Sequence, residues 1–509
     1  MADDGASSAG TSGNEETPLN TRHVKPPPQD KWTLWLLFTA FVIVIGSSLQ
    51  FGYNTSCINA PEQDIKDFFR KNSSGFHDSE WSTAVAIFAI GGMIGALTGP
   101  AIANILGRKK ALLVNNIPGL IGSLLMFLSY HTKQSSLLII GRLIIGVNCG
   151  INTAVAPVYL SEIGPVNLRG SLGTLNQFGI VTGLLLGFVL GLKQLLGNAF
   201  GWRYLVSLSF VPAILQLITL PFCPRSPRYL LLKLNQEAQA KEALQLLRGS
   251  TDVTRDIEEM KVEKEMEMGE EKISVLKLFR LKELQMPLLI SVVMQLTQQL
   301  SGINAVFYYS TSIFEKAGVQ ESRAATCAVG AVSLFMTAIT VKLVEVLGRR
   351  TLMLYGVGGM FVFYAVMTLS FCLQDKWSGM NYISVVATLI LVAFFQLGPG
   401  PIPWFFTAEL FSQGTRPAAV SIAGTSNWLS NFIVGIGFPA MQKALYPYTF
   451  LVFMVLLAIF WTFTYFLVPE TKGRTIEDIT GSFKRPPNRS EVFYDPVPPD
   501  QGEANDKNM

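Results

Sequence analysis

Runs of about 20 mostly apolar residues, each long enough to cross the roughly 30 Å of hydrocarbon in a bilayer, recur throughout this chain. They fall at approximately 32–54, 81–104, 111–129, 137–160, 172–190, 204–220, 288–310, 324–347, 351–373, 382–407, 421–439 and 448–468. A backbone surrounded by lipid must satisfy its own hydrogen bonds, and for uninterrupted segments of this length the helix does so. The chain therefore reads as an all-α membrane protein with twelve transmembrane helices. Only 15% of its 509 residues are charged, against about 25% in soluble domains. The first block follows a tail, 1–31, rich in Ser, Gly and Pro and expected to be disordered. It is longer than a signal-peptide core and has eleven more blocks behind it, so it reads as a retained span.

Basic residues orient the spans. The short connections after even-numbered blocks carry Arg108, Lys109 and Lys110, then Arg169, Arg349 with Arg350, and Arg416; those after blocks 3, 5 and 9 carry only Lys133, Lys193 and Lys376. The positive-inside rule places both termini in the cytoplasm. The connection 55–80 then faces outside, and its sequon at Asn72 is a glycosylation candidate. Five scattered cysteines without ligand spacing imply packing rather than a disulfide framework or a metal site. The net charge of +4 gives no reason to expect nucleic acid.

The stretch 221–287 interrupts the apolar pattern with mixed charge and two helical patterns, 238–247 and 256–268. It reads as a cytoplasmic helical linker domain between a first six-helix bundle, 32–220, and a second, 288–468, with a cytoplasmic tail at 469–509. The halves repeat one another. Gly107-Arg-Lys matches Gly348-Arg-Arg, Glu162 with Arg169 matches Glu409 with Arg416, and Pro224-Arg-Ser-Pro-Arg-Tyr loosely echoes Pro469-Glu-Thr-Lys-Gly-Arg. A parallel repeat of six-span units is the pattern of a rocker-type secondary transporter. Charges at the lipid-water boundary cost much less than at the bilayer centre. The set Arg108, Glu162, Arg169, Arg228, Glu345, Arg349, Arg350, Glu409, Arg416 and Glu470 is therefore expected to latch helix ends on the inner face, separating and hydrating as a gate opens.

One polar patch breaks an otherwise uncharged block: QLTQQLSGINAVFYY, residues 295–309. Gln295 and Gln299 share a helix face and Gln298 lies beside them. Asn304 leaves that face unless the helix unwinds near Gly302, which would bring it toward the same cavity as the rings of Phe307, Tyr308 and Tyr309. Further polar material interrupts other blocks: Asn176-Gln177, Asn427-Trp428 with Asn431, and Gln396, which opens the run to Trp404. In that run Gly400 and Pro401 belong to a Pro-Gly stretch that regular helix does not accommodate, a second flexible point with Trp404 as a lid. Any one of these amides serves equally well as interhelical glue. As a set, amides that donate and accept, beside aromatic faces, suit a neutral polyhydroxylated ring. A charged substrate would require a buried counter-charge that these positions do not supply.

The first span carries Asn54 and no acid, so the titratable group expected of proton coupling is missing there. Arg142 lies well inside the fourth block, either as a structural contact or against the pathway. No phosphate-binding loop is present, which argues against a nucleotide energy source, and no nucleophile, base and orienting group assemble into an enzyme site. No cofactor is implied.

The motifs SLQFGYNT, GRKK, PVYLSEIGPVNLRG, QQLSGINAVFYYSTSIF, GRR, GPGPIPWFFTAELFSQGTRPAA, SNW and PETKGRT stand in this order over about 32–485. This resembles the sugar-porter family of the major facilitator superfamily, and within it the animal facilitative glucose transporters of the first class. The resemblance implies the major facilitator fold, alternating exposure of one central site, and a glycoprotein of the plasma membrane that moves D-glucose and related hexoses passively. It implies sugar contacts at Gln177, Gln298, Gln299, Asn304, Trp404 and Asn427, with Trp428 nearby, and passive uniport from Asn54, where coupled relatives carry Asp. Gln295-Leu-Thr resembles the Gln-Leu-Ser of glucose-preferring members and favours glucose over fructose. Ser333 and Gln396 depart from the family's Asn and Glu and imply altered affinity or broader tolerance, for galactose or mannose. Arg225 stands where the family has Glu, which implies a weaker inner latch near Arg169. The alternatives are a carrier of another polyol, fructose or dehydroascorbate, and a receptor that binds glucose without moving it. Membrane lipid is the one further partner implied; oligomeric partners are not.

Overall fold

The computed structural model describes residues 31–472 and 474, apart from 73–75, 270–272, 378 and 413. The expected N-terminal disorder and nearly all of the C-terminal tail lie outside these residues. The first half runs through α1 (Leu34–Ser56), α2 (Glu62–Asn72), α3 (Asp78–Leu106), α4 (Arg108–Thr132), α5 (Ser135–Ile163), α6 (Arg169–Leu190) and α7 (Trp202–Phe222). Between the halves lie α8 (Glu237–Arg248), α9 (Thr254–Gly269) and α10 (Val275–Arg280). The second half follows with α11 (Lys282–Leu300), α12 (Ile303–Lys316), α13 (Ser322–Leu347), α14 (Arg349–Leu373), α15 (Met380–Leu397), α16 (Ile402–Leu410), α17 (Arg416–Leu445) and α18 (Thr449–Leu467).

Among the described residues eleven spans are long and apolar enough to cross a membrane, not twelve. The expected block 421–439 does form a helix, but α17 carries Asn427, Asn431, Gln442 and several serines, and that polarity keeps it off the count. Two other spans are broken where the sequence indicates. α11 stops at Leu300 and α12 restarts at Ile303 through Gly302, whose φ of 82° is left-handed. A Cβ there would stand 2.6 Å from the Phe453 ring and 2.7 Å from the Tyr364 hydroxyl. α15 ends at Leu397 and α16 begins at Ile402, with Gly398-Pro-Gly-Pro401 between them.

In lipid, helices associate by close packing more than by burial of apolar surface. Glycines supply that closeness in the first half: Gly91 and Gly95 of α3 face the α5 backbone at Leu143 and Val147, and Gly146 and Gly150 of α5 face Phe88 and Gly92 in return. α1 and α6 meet in the same way through Gly52 and Gly183. The intervening helices have a small core of their own, with Leu244 of α8, Ile257 and Met260 of α9, and Leu230. They are tied to the first half by Arg248, which donates to the Ile163 carbonyl at 2.8 Å and pairs with Asp256 at 2.9 Å, and by Thr33, which donates to Leu247 O at 2.6 Å.

The two halves are built alike at their basic ends. Arg108 opens α4 and pairs at 2.7 Å with Glu162 near the end of α5; Arg349 opens α14 and pairs at 2.9 Å with Glu409 near the end of α16. The second carboxylate oxygen accepts from Ser226 in the first half and from Thr471 in the second. An aromatic ring lies under each guanidinium, Tyr229 under Arg108 and Phe405 under Arg349. Each Glu is thus held by an Arg from a neighbouring helix start, within the set expected to latch helix ends, and not by the Arg that follows it in the repeated sequence unit. Arg416 donates to the Phe411 carbonyl at 3.1 and 3.2 Å, and Arg169 and Arg228 are both engaged. Glu470 accepts from the amides of Arg349 and Arg350 at 2.8 and 3.0 Å, and the Arg350 side chain reaches Tyr465 O. Glu345 is exposed.

Candidate functional site

The last two turns of α11, just before the break, meet α17. Asn427 forms the hub: its amide donates to Gln295 Oε1 at 2.7 Å and Gln298 Oε1 at 2.6 Å, and its oxygen accepts from Gln299 at 2.9 Å. Gln299 in turn accepts from Asn304 across the break. Gln295 donates to Pro403 O at 3.0 Å, and Gln298 to Gly400 O, so the second broken span is tied to the same cluster. All five amides are buried. Their shared hydrogen bonds explain how so much polarity is tolerated at this depth.

The aromatic residues sort into three positions. Tyr308 donates to Asn431 at 2.9 Å and Tyr309 to Gly435 O at 3.0 Å, pinning α12 to α17. Trp428 lies between the halves, its ring 5.8 Å from Phe51 and 6.2 Å from Phe88 of the first bundle and directly over Gly92. Its indole N–H is buried without an acceptor, as is Gln396 Oε1 without a donor. Trp404 is 41% exposed on α16. Gln177 is half-buried on α6, and Ser333 is buried with its hydroxyl donating to Val329 O on its own helix at 2.9 Å. The structure therefore gathers Gln295, Gln298, Gln299, Asn304 and Asn427 into one cluster and sets Gln177, Ser333 and Trp404 apart from it.

The first half holds buried amides that reading the sequence passed over. Asn115 donates to Asn152 Oδ1 at 2.9 Å, Asn152 to Gln50 at 3.2 Å, and Asn116 to Gln216 at 2.9 Å. Asn148 and Asn152 are four apart, the same signal that singled out Gln295 and Gln299. Asn54 donates to Gln50 O at 2.8 Å and accepts from Ser209 at 2.6 Å. Arg142 is buried beside it, donating to the Asn54 carbonyl at 2.7 Å with its guanidinium 4.5 Å from the Phe88 ring centre.

At the end opposite the basic corners the halves are clasped together. Asn59, just after α1, donates to Phe307 O at 2.8 Å and Ser310 at 2.9 Å and accepts from the Thr311 amide at 3.1 Å. Arg323 at the start of α13 pairs with Asp64 of α2 at 2.8 Å and donates to the carbonyls of Gly191 and Gly197. Burial pushes the Glu62 carboxyl of α2 above its ordinary range, partly offset by Lys66 at 2.6 Å. Asn72 is half-buried at the end of α2 and donates to Phe68 O; the hydroxyl residues of its sequon lie outside the described residues. Among the described residues no group of acids, His and Cys is placed to hold a metal.

Two related helical bundles, each with buried amides at its centre and clasped to the other at one end, have the build of an alternating-access membrane carrier. The chain belongs to the sugar transporter family: the model described as "Sugar (and other) transporter" matches residues 39–483. That family is one of transporters, not of enzymes. Facilitated glucose transporter member 3 of solute carrier family 2 from Ovis aries is 50% identical over 464 residues, covering 89% of this chain and 94% of that protein. Its Homo sapiens counterpart is 48% identical over 463 residues, with 89% and 93% covered. Among solved structures, the xylose transporter XylE from E. coli in a partially occluded inward open conformation superposes with a TM-score of 0.74 at 25% identity, covering 87% of this chain and 100% of that one. Its inward open conformation gives 0.73 at 26%, with 88% and 99% covered. The fold is the all-α fold of the major facilitator superfamily, with two pseudo-repeated helix bundles.

Proposed function

We infer that this chain is a facilitative carrier that moves D-glucose and related hexoses across the plasma membrane by alternating access. The observation that carries this reading is the amide cluster around Asn427, gathered at a helix break and free of charge. Each hydroxyl of a hexose both donates and accepts, so it can replace an amide partner without leaving a buried group unpaired. The relatives, named as facilitated glucose transporters, and the matched xylose transporter support a sugar as the cargo.

In this reading Gln295, Gln298, Gln299, Asn304 and Asn427 bind the sugar from the second bundle and Gln177 from the first, with Gln396 and Trp428 offering an acceptor and a donor. Trp404 and Ser333 modulate the fit, Tyr308 and Tyr309 close over the sugar on one side, and Gly400 with Pro401 provides the hinge. The corner pairs Arg108–Glu162 and Arg349–Glu409, with Arg169, Arg228, Glu345, Arg350, Arg416 and Glu470 around them, act on the inner gate. Counting α17 as a span gives twelve, with both termini cytoplasmic, bundles at 32–220 and 288–468, and the linker domain 221–287 on the cytoplasmic side. Asn72 then faces outward for glycosylation.

Counterflow in proteoliposomes against a panel of D-glucose, L-glucose, galactose, mannose, fructose and dehydroascorbate tests the substrate. D-glucose is expected to drive exchange and L-glucose to fail. Exchange driven by fructose or dehydroascorbate but not by D-glucose would assign a different cargo, and glucose binding without exchange would make the chain a receptor.

A further inference from the structure

The internal repeat supplies a comparison within the molecule. Ser226 donates to Glu162 as Thr471 does to Glu409, so Pro224-Arg225-Ser226 is the structural counterpart of Pro469-Glu470-Thr471. In the second half Glu470 lays its carboxylate on the amides that open α14. In the first half the corresponding residue is Arg225, a side chain with no acceptor atoms.

Arg225 instead lines a cleft of about 220 Å³ against the start of α4, with Ile105, Leu106, Lys109, Lys110 and Leu234 among its walls. No acid lines this cleft among the described residues. The nearby Glu162 is already held by Arg108 and Ser226. Lys109 spends two donors on the carbonyls of Pro221 and Cys223, both at 2.7 Å, and retains a third. Lys110 and Arg225 are exposed. Beside Arg108, which is paired with Glu162, three further cations thus line one cleft where the other half places an anion, and like charges gathered in this way repel unless an anion joins them.

We propose that the cleft binds the phosphate of an anionic phospholipid, with Arg225 and Lys110 as its principal contacts and Lys109 as the third. The cleft lies at the lipid-water boundary, where α3 ends. Ile105 is 77% exposed there, and Leu106 and Leu234 are exposed beside it, an apolar rim for the acyl chains next to a basic floor for the headgroup. That combination favours a lipid over a soluble phosphate. Assignment to the inner leaflet rests on the orientation proposed above; binding itself does not.

The test is retention of phosphatidylserine against phosphatidylcholine by the full-length, detergent-solubilised protein, read by native mass spectrometry. The unaltered protein should retain phosphatidylserine selectively, and Arg225→Gln and Lys110→Gln should each lower retention about fivefold. Arg225→Glu, which copies Glu470, should abolish the selectivity. Arg280→Gln, which removes an exposed arginine of α10 outside the cleft, should leave it intact. The unfolding temperature of each variant in neutral detergent separates loss of the site from loss of the fold. Retention unchanged in folded Arg225 and Lys110 variants, or an equal loss in Arg280→Gln, would overturn the site. Equal binding of glycerophosphoserine, the headgroup without its chains, would overturn the lipid assignment.

Discussion

Asn427 makes three of the amide contacts that hold the central cluster together, and its carboxamide uses both its donor and its acceptor to do so. Replacing it by Ala leaves Gln295 Oε1 buried without a donor, and leaves Gln298 Oε1 and Gln299 Nε2 only each other at 3.2 Å, at a cost of about 1–3 kcal/mol for the unpaired group. For Asn427→Ala we expect D-glucose exchange to fall at least about tenfold, measured by counterflow at matched protein density. Wild-type exchange in that variant would remove the hub from the site. The glutamines of this cluster were legible because an amide inside a lipid-facing pattern has few explanations. Their partners were less so: nothing in the spacing of Gln298 indicates Gly400, and nothing in Glu162 indicates Arg108 rather than Arg169. In the first bundle the signal is there in Asn148 and Asn152, four apart, but nothing in the spacing joins them to Asn115 on another span, which they meet only in the folded chain.

The spans themselves were easier to read, since lipid imposes length and apolarity together. The breaks in α11–α12 and α15–α16 were visible as Ser-Gly and Gly-Pro runs. α17 shows the limit of that reading: its buried amides and serines leave it short of the apolarity that marks the other spans. Gly302 carries the first break by adopting a backbone conformation that costs other residues about 1–2 kcal/mol. Its surroundings add to this, because a methyl group would press on Phe453 and Tyr364. Gly302→Ala is expected to lower the unfolding temperature of the purified protein and to weaken sugar binding by misplacing Asn304. Gly424, which has open space around it on α17, serves as the control, and Gly424→Ala should be tolerated. Equal behaviour of the two would show that the break is not under this constraint.

The whole molecule is asymmetric about the membrane plane. Each half keeps its own Arg–Glu corner at the basic end, while at the other end Asn59, Asp64 and Arg323 join one half to the other. These joining contacts bridge residues some 250 positions apart, which is why no local motif announced them. Opening that end requires them to break, so they stabilise the conformation seen here. Asp64→Asn removes the ion pair but keeps the shape, at a cost of about 1–3 kcal/mol to the clasped state. Hydrogen exchange at the amides of 306–311 in α12 should accelerate in this variant and not in Asp67→Asn, an exposed neighbour on α2. Unchanged exchange would mean that the clasp contributes nothing to the balance of states. On the proposed function, an amide site without an acid moves sugar uncoupled, and Asn54 leaves the first span without a group to carry a proton. Initial D-glucose uptake into proteoliposomes, with and without an imposed proton gradient, tests it most directly. Saturable, stereospecific entry at the same rate in both conditions is expected; entry that requires the gradient would overturn uncoupled transport.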